Sequence, residues 1–147
     1  MTRKAPDFTI PSTEGEITLS ALDGNVVLYF YPRDDTPGCT LEAKDFDRLA
    51  ADFAKAGTRV IGISKDDLAS HGKFRAKHGL GITLASDTAN VADDYGVWVE
   101  KNLYGKKSMG IERATFLIDS DGHVVREWRK VKVDGHAEEV LAEATTL

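Results

Sequence analysis

Two apolar runs set the frame of this chain. Val26-Val27-Leu28-Tyr29-Phe30 and Arg59-Val60-Ile61-Gly62-Ile63-Ser64 are rich in β-branched and aromatic residues, the pattern of strands buried on both faces. Between them Leu41, Phe46, Leu49, Ala50 and Phe53 recur at helical spacing in a segment that ends near Gly57. Strand, helix and strand in that order form a right-handed βαβ unit with a parallel pair, so the class is α/β. Sites in such sheets lie beyond the carboxyl ends of the strands. The only cysteine, Cys39, follows such an end.

The start of the helix is legible residue by residue. Thr36 is a good N-cap, Pro37 suits the first helical position, and Gly38 and Cys39 complete the first turn. Cys39 thus takes the slot in which a capping box carries Glu, where backbone N–H groups and the helix dipole favour an anion such as a thiolate. A free cysteine, with a pKa of about 8.5, is only a few per cent ionised at neutral pH, and bringing one to about 6 takes roughly 3.4 kcal/mol. A helix terminus supplies about 0.3–1 kcal/mol, or ~2 when partly buried. A cation has to supply the rest. Full ionisation raises the thiolate fraction only ~30-fold and nucleophilicity falls with pKa, so a large rate enhancement has to come from transition-state contacts. The candidate donors are the Thr36 hydroxyl, the backbone N–H groups of the helix start and an arginine from elsewhere. Asp34 and Asp35 oppose a thiolate if they point inward, and both are expected to face water.

Pro32-x-x-x-Thr36-x-x-Cys39 matches the signature Pro-x-x-x-Thr/Ser-x-x-Cys, and the longer string YPRDDTPGCTLEA resembles the bacterioferritin-comigratory-protein (PrxQ) subfamily of the peroxiredoxins. The resemblance continues in order through GISKDD, SDTANVADDYGVW, GIERATFLID and GHAEEVL. It implies a thioredoxin-like fold, a central mixed sheet flanked by helices with an N-terminal hairpin extension, and thiol-dependent reduction of hydrogen peroxide and organic hydroperoxides. By the same resemblance Cys39 is the peroxidatic cysteine, Thr36 the hydroxyl that holds the peroxide, and Pro32 the residue that shields and shapes the pocket. Arg113 in GIERATF is then the cation that stabilises thiolate and polarised peroxide, with Glu42, one turn beyond Cys39, as a candidate to fix it by a salt bridge. No metal, flavin or nucleotide is implied. Many members carry a resolving cysteine five positions after the peroxidatic one. Here that position is Lys44 and no second cysteine exists, so the chain resembles a one-cysteine member whose sulfenic acid is resolved by an outside thiol, thioredoxin, glutaredoxin or a small thiol. A monomer or weak homodimer is expected.

Arg113 also sets a topological test. It precedes the apolar Phe116-Leu117-Ile118 and so sits at the amino end of its strand, whereas Cys39 lies beyond a carboxyl end. The two meet only if those strands run antiparallel, as they do in a thioredoxin-like sheet. From charge alone Arg113 is one of nineteen lysines and arginines.

The rest of the chain adds elements and exclusions. A length of 147 residues with 41% hydrophobic composition fits one domain, residues 1–147. The net charge of -5 argues against general affinity for nucleic acid or anionic membrane. One cysteine rules out an internal disulfide and fits a reducing compartment, and with no signal peptide or transmembrane span readable the cytosol is the default. Phe8 to Ile10 and Ile17 to Leu19 read as a hairpin, Asp66 to His78 as a helix with Leu68 and Phe74 inward and Gly79 as its stop, and Thr88 to Tyr95 as a short helix. Leu84-Ala85 is too short to assign. Residues 96 to 111, including the short basic cluster Lys101, Lys106 and Lys107, read as an irregular solvated loop bordering the pocket. Arg113 to Asp119 and His123 to Trp128 form a hairpin across Ser120-Asp121-Gly122, and Gly135 to Ala144 a closing helix. His71, His78, His123 and His136 lack metal spacing and none lies next to Cys39 in sequence, so they read as surface or core residues, whereas a cysteine hydrolase or acyltransferase needs a histidine base near Cys39. A redox sensor or holdase with the same sulfur turns over once, whereas a peroxidase turns over many times.

Overall fold

The run from Val26 to Phe30 lies at the middle of the sheet, with no side chain more than 2% exposed. In the computed structural model, which describes residues 2–147, the strands are β1 (Arg3–Lys4), β2 (Thr9–Ser12), β3 (Gly15–Thr18), β4 (Asn25–Phe30), β5 (Thr58–Ser64), β6 (Thr83–Ser86), β7 (Trp98–Leu103), β8 (Lys106–Ile111), β9 (Ala114–Ile118) and β10 (His123–Trp128). The helices are α1 (Pro37–Arg48), α2 (Ala50–Lys55), α3 (Leu68–His78), α4 (Val91–Asp94) and α5 (His136–Ala144). Eight strands form one sheet in the order β1-β10-β9-β4-β5-β6-β2-β3, and β7 and β8 pair separately.

β4 runs parallel to β5, with Val27 opposite Val60 and Phe30 opposite Ile63, and β5 runs parallel to β6. On the other side β4 is antiparallel to β9. The sheet is therefore mixed and flanked by helices, as expected, with β2 and β3 as the N-terminal hairpin. Alternation along β4 divides the core into two layers. Val26, Leu28 and Phe30 face a cluster with Phe116, Ile63, Tyr95 and Phe8, while Val27, Tyr29 and Tyr31 face Cys39, Phe46, Phe53, Phe74 and Val140 under the longer helices. Among the described residues no helix is long and apolar enough to cross a membrane.

The helical segments differ from expectation in register and continuity. The segment up to Gly57 divides at Leu49, whose backbone (φ -96°, ψ 3°) leaves helical geometry. The buried face of α1 is Cys39, Glu42, Ala43 and Phe46, so Leu41 points outward and is 50% exposed. α3 begins after Asp67, whose carboxylate accepts the Ser70 N–H at 2.8 Å, and stops at Gly79 in the left-handed region (φ 63°). Phe74 is inward as expected, but His71 rather than Leu68 takes the other inward position.

Residues 96 to 111 are not irregular. β7 and β8 make a two-stranded hairpin from Trp98 opposite Ile111 to Leu103 opposite Lys106, closed by Tyr104 and Gly105, both at positive φ (54° and 78°). Most of its side chains face water, which removes the apolar period that marks a strand.

Tight contact at the sheet centre yields a stability prediction. A Cβ added at Gly62 falls 2.6 Å from Tyr29 Cζ and 3.0 Å from Leu84 Cδ2. Gly62→Ala therefore overpacks the helix-covered layer and is expected to cost about 1–3 kcal/mol, read as a lower urea midpoint at unchanged m-value.

Candidate active site

β4 delivers the chain to the carboxyl end of the sheet, and Tyr31 extends its ladder by donating to the Ile63 carbonyl at 3.1 Å. The chain then turns through Pro32 to Asp35 into α1. Thr36 is the N-cap in extended conformation (φ -96°, ψ 156°), Pro37 follows at the first helical position, and Cys39 sits at the third. The Thr36 hydroxyl does not cap the helix. It donates to the Arg33 carbonyl at 3.0 Å, which leaves its lone pairs available and the first-turn N–H groups without a side-chain acceptor. Pro32 is half-buried at the end of β4, and Cys39 is 1% exposed and free.

Arg113 reaches this sulfur from the other strand. β9 opposes β4 with Ala114 beside Phe30, so the residue before Ala114 lies past the end of β4, where Cys39 is. Arg113 Nη2 donates to Cys39 Sγ at 3.3 Å and Nη1 to Glu42 Oε1 at 2.7 Å. Gly38 makes room, since a Cβ there lies 3.2 Å from Nη2. Burial opposes the guanidinium charge, but Glu42 and Cys39 outweigh it and hold Arg113 above its ordinary value. Glu42 is 1% exposed and only one of its oxygens is bonded; Oε2 has no partner among the described residues. Burial accordingly pushes its carboxyl up to about 7, against the pull of Arg113. Cys39, Thr36, Arg113 and Glu42 thus gather at one helix start. No histidine bonds Cys39 among the described residues; His136 instead meets Thr115 Oγ1 at 2.8 Å, and burial holds it down at about 4.

Comparison with known proteins gives the family. The model of the AhpC/TSA family matches residues 1–127. Peroxiredoxin Bcp of Xanthomonas campestris is 50% identical over 143 residues, covering 94% of this chain and 89% of that protein. The chain belongs to the AhpC/TSA family and is a peroxiredoxin. Peroxiredoxin Bcp of Bacillus subtilis is 47% identical over 142 residues, covering 95% of this chain and 90% of its own length. The solved structure of Xanthomonas campestris peroxiredoxin Q superposes with a TM-score of 0.89 at 46% identity, covering 95% of this chain and 90% of that one. The thioredoxin-like fold and the Bcp/PrxQ type follow, and with them a thiol-dependent peroxidase that takes a peroxide as substrate and a thiol as reductant.

Two expectations about this peroxiredoxin's surroundings need correction. Asp35 is exposed, but Asp34 is buried, only 7% exposed, because its carboxylate is satisfied by Tyr31, Ser70 and His71. Lys101 is not simply solvated like Lys106 and Lys107. Its stem is half-buried over Gly110, where a Cβ lies 3.1 Å from Lys101 Cδ. Lys44, at the position five after Cys39, is exposed.

Glu42 gives a pH-dependent prediction with a definite sign. Its folded value of about 7 lies above the ordinary 4.5, so the folded state binds the proton more tightly and stability falls as pH rises between those values. Glu42→Gln removes this dependence. Relative to the parent it is expected to gain about 2–3 kcal/mol more at pH 7.5 than at pH 5, at ~1.36 kcal/mol per unit, measured by urea unfolding at both values.

Proposed function

We propose that Cys39 is the peroxidatic thiol of this peroxidase and that Arg113, Thr36 and the first-turn N–H groups of α1 form its transition-state cradle. The observation that carries the reading is the 3.3 Å contact from Arg113 Nη2 to Cys39 Sγ in a dry site at a helix start. The thiolate attacks the distal peroxide oxygen in line. An S–O bond forms as the O–O bond breaks, sulfur is oxidised to the sulfenic acid, and the departing alkoxide or hydroxide takes up from solvent the equivalent of the proton released when the thiol ionised, leaving as alcohol or water. Thr36, with free lone pairs, accepts the peroxide O–H, Arg113 stabilises the charge passing from sulfur to oxygen, Pro32 screens the pocket from water, and Glu42 aims the guanidinium. Both hydrogen peroxide and organic hydroperoxides fit this chemistry, and the 45% identical Xanthomonas campestris bacterioferritin comigratory protein has alkyl peroxide reduction activity.

The sulfenic acid is resolved from outside, since the chain holds one cysteine. A first external thiolate displaces water to form a mixed disulfide and a second releases Cys39, so that a dithiol such as thioredoxin or glutaredoxin is oxidised to its disulfide. At 1% exposure Cys39 is closed to a protein thiol, and the first turn of α1 has to loosen between the two half-reactions. The whole chain acts as one domain in the cytosol, as a monomer or weak homodimer, with a Cys39–Cys39 bridge between chains as an available intermediate.

Peroxide titration followed by mass spectrometry tests the assignment. One added oxygen, about 16 Da, is expected on Cys39 alone and reversed by dithiol, and Cys39→Ser abolishes peroxide turnover with thioredoxin. Arg113→Met is expected to lower the rate of Cys39 oxidation by about 100-fold or more, the scale of losing an oriented donor, and Thr36→Val by a smaller factor. An unreactive thiol in the folded parent protein overturns the reading.

A further inference from the structure

The connection from β4 to α1 carries two carboxylates, both bonded to α3. Asp34 Oδ1 accepts the Tyr31 hydroxyl at 2.6 Å, and Oδ2 accepts the Ser70 hydroxyl at 2.7 Å and lies 2.8 Å from His71 Nδ1. The other ring nitrogen of His71, Nε2, lies 3.1 Å from the Ala85 carbonyl on β6. His71 is itself 0% exposed, so one buried ring joins the Asp34 carboxylate to β6. Burial works against the Asp34 carboxylate, but the bonds from His71, Tyr31 and Ser70 prevail and hold it below its ordinary value. The Asp34 N–H is held as well, donating at 2.8 Å to Asp66 Oδ2, which also accepts the Ser64 hydroxyl.

The backbone changes character at the next residue. Asp35 sits at φ 59°, in the left-handed region, and its exposed carboxylate is taken at the far end of α3 by Lys77 at 2.7 Å and His78 at 2.8 Å. Thr36 and the first turn of α1 follow at once. The chain thus passes from a buried anchor, bonded through both carboxylate oxygens, through one residue at positive φ that only exposed polar contacts hold, into the turn that holds Cys39.

We infer that the Asp34–His71 pair is a positioning device for the peroxidase reaction: it fixes the chain up to Asp34 on α3 and β6, so that Thr36 and Cys39 rest in the closed geometry and opening begins at Asp35. The inference rests on Cys39 being the peroxidatic thiol. Neither Asp34 nor His71 touches the sulfur, so both act through the loop.

The test uses the full chain with Asp34→Asn, His71→Gln and the double variant, and compares two rates at a temperature well below unfolding. One is single-turnover oxidation of Cys39 by hydrogen peroxide, which needs the closed site. The other is alkylation of reduced Cys39 by iodoacetamide, which needs the sulfur exposed. Each single variant is expected to slow oxidation tenfold or more and to speed alkylation severalfold, and the double variant to match the singles because the pair works as a unit. A purely structural pair lowers the melting temperature and leaves both rates within twofold of the parent, which overturns the inference. If Asp34→Asn does not fold, Tyr31→Phe and Ser70→Ala each remove one hydroxyl from the same carboxylate, and rates within twofold in both overturn it equally. A parent protein whose Cys39 ignores peroxide defeats the assignment of the thiol instead, so the two failures are distinct.

Discussion

A guanidinium carried across the sheet onto a buried sulfur is the constraint that the rest of this structure serves. Cys39 is almost dry, and a thiolate without a partner in such a place costs several kcal/mol. The five residues before it in sequence, two carboxylates, a threonine, a proline and a glycine, carry no cation, and the cation that reaches it comes from another element. β9 supplies that group by running antiparallel to β4, and Gly38 supplies the space in which it lies. Glu42 then fixes the second nitrogen of Arg113 and withdraws part of its charge from the sulfur. With one carboxylate oxygen bonded and the other bare, Glu42 is neither fully ionised nor fully neutral near pH 7, and the charge left to the sulfur varies with it.

The surroundings divide into a rigid part and a yielding part. Below the sulfur, Tyr29 stacks on Phe46 at 4.6 Å between ring centres, and Phe46 packs on Phe53 at 5.9 Å, so the later turns of α1 are bound to the sheet and to α2. In the first turn only Cys39 faces this core. Pro37 and Leu41 are exposed, Gly38 offers no side chain, and Thr36 spends its hydroxyl on the preceding loop. Local stability follows buried apolar contact, so the first turn is the least secured part of the helix and the place where the proposed opening starts.

Much of this was legible in the sequence, for local reasons. The apolar runs of β4 and β5 and the Thr36-Pro37 helix start each declare themselves within a few residues, whereas the antiparallel course of β9 is expected only because the family resemblance brings Arg113 to Cys39. What escaped has one cause in three places. Leu41 and Leu68 have the right spacing for a buried face, yet Glu42 and His71 take the inward slots, because each meets a polar partner from a distant element. Asp34 looked like half of a solvated acidic doublet for the same reason. Hydropathy rewards apolar residues and is blind to a charge whose partner lies tens of positions away, so inward polar residues of a site are read as surface. The β7–β8 hairpin failed differently: both its faces are largely wet, and no period survives to be read.

The lone cysteine gives the yielding turn its consequence. A resolving thiol on the same chain acts at an effective concentration in the millimolar range for a short flexible connection, whatever the cell supplies. An external thiol must arrive by diffusion and find the turn open. Under the proposed mechanism the sulfenic acid therefore waits longer, and each closed interval exposes it to a second peroxide and the step to sulfinic acid. A looser first turn shortens that wait but moves Thr36 and Arg113 away from sulfur, slowing the first oxidation. A tighter one does the reverse. Such a chain gains from setting the point at which its loop begins to move, and an anchor at Asp34 that ends one residue before the positive-φ Asp35 does this without adding any group to the sulfur itself.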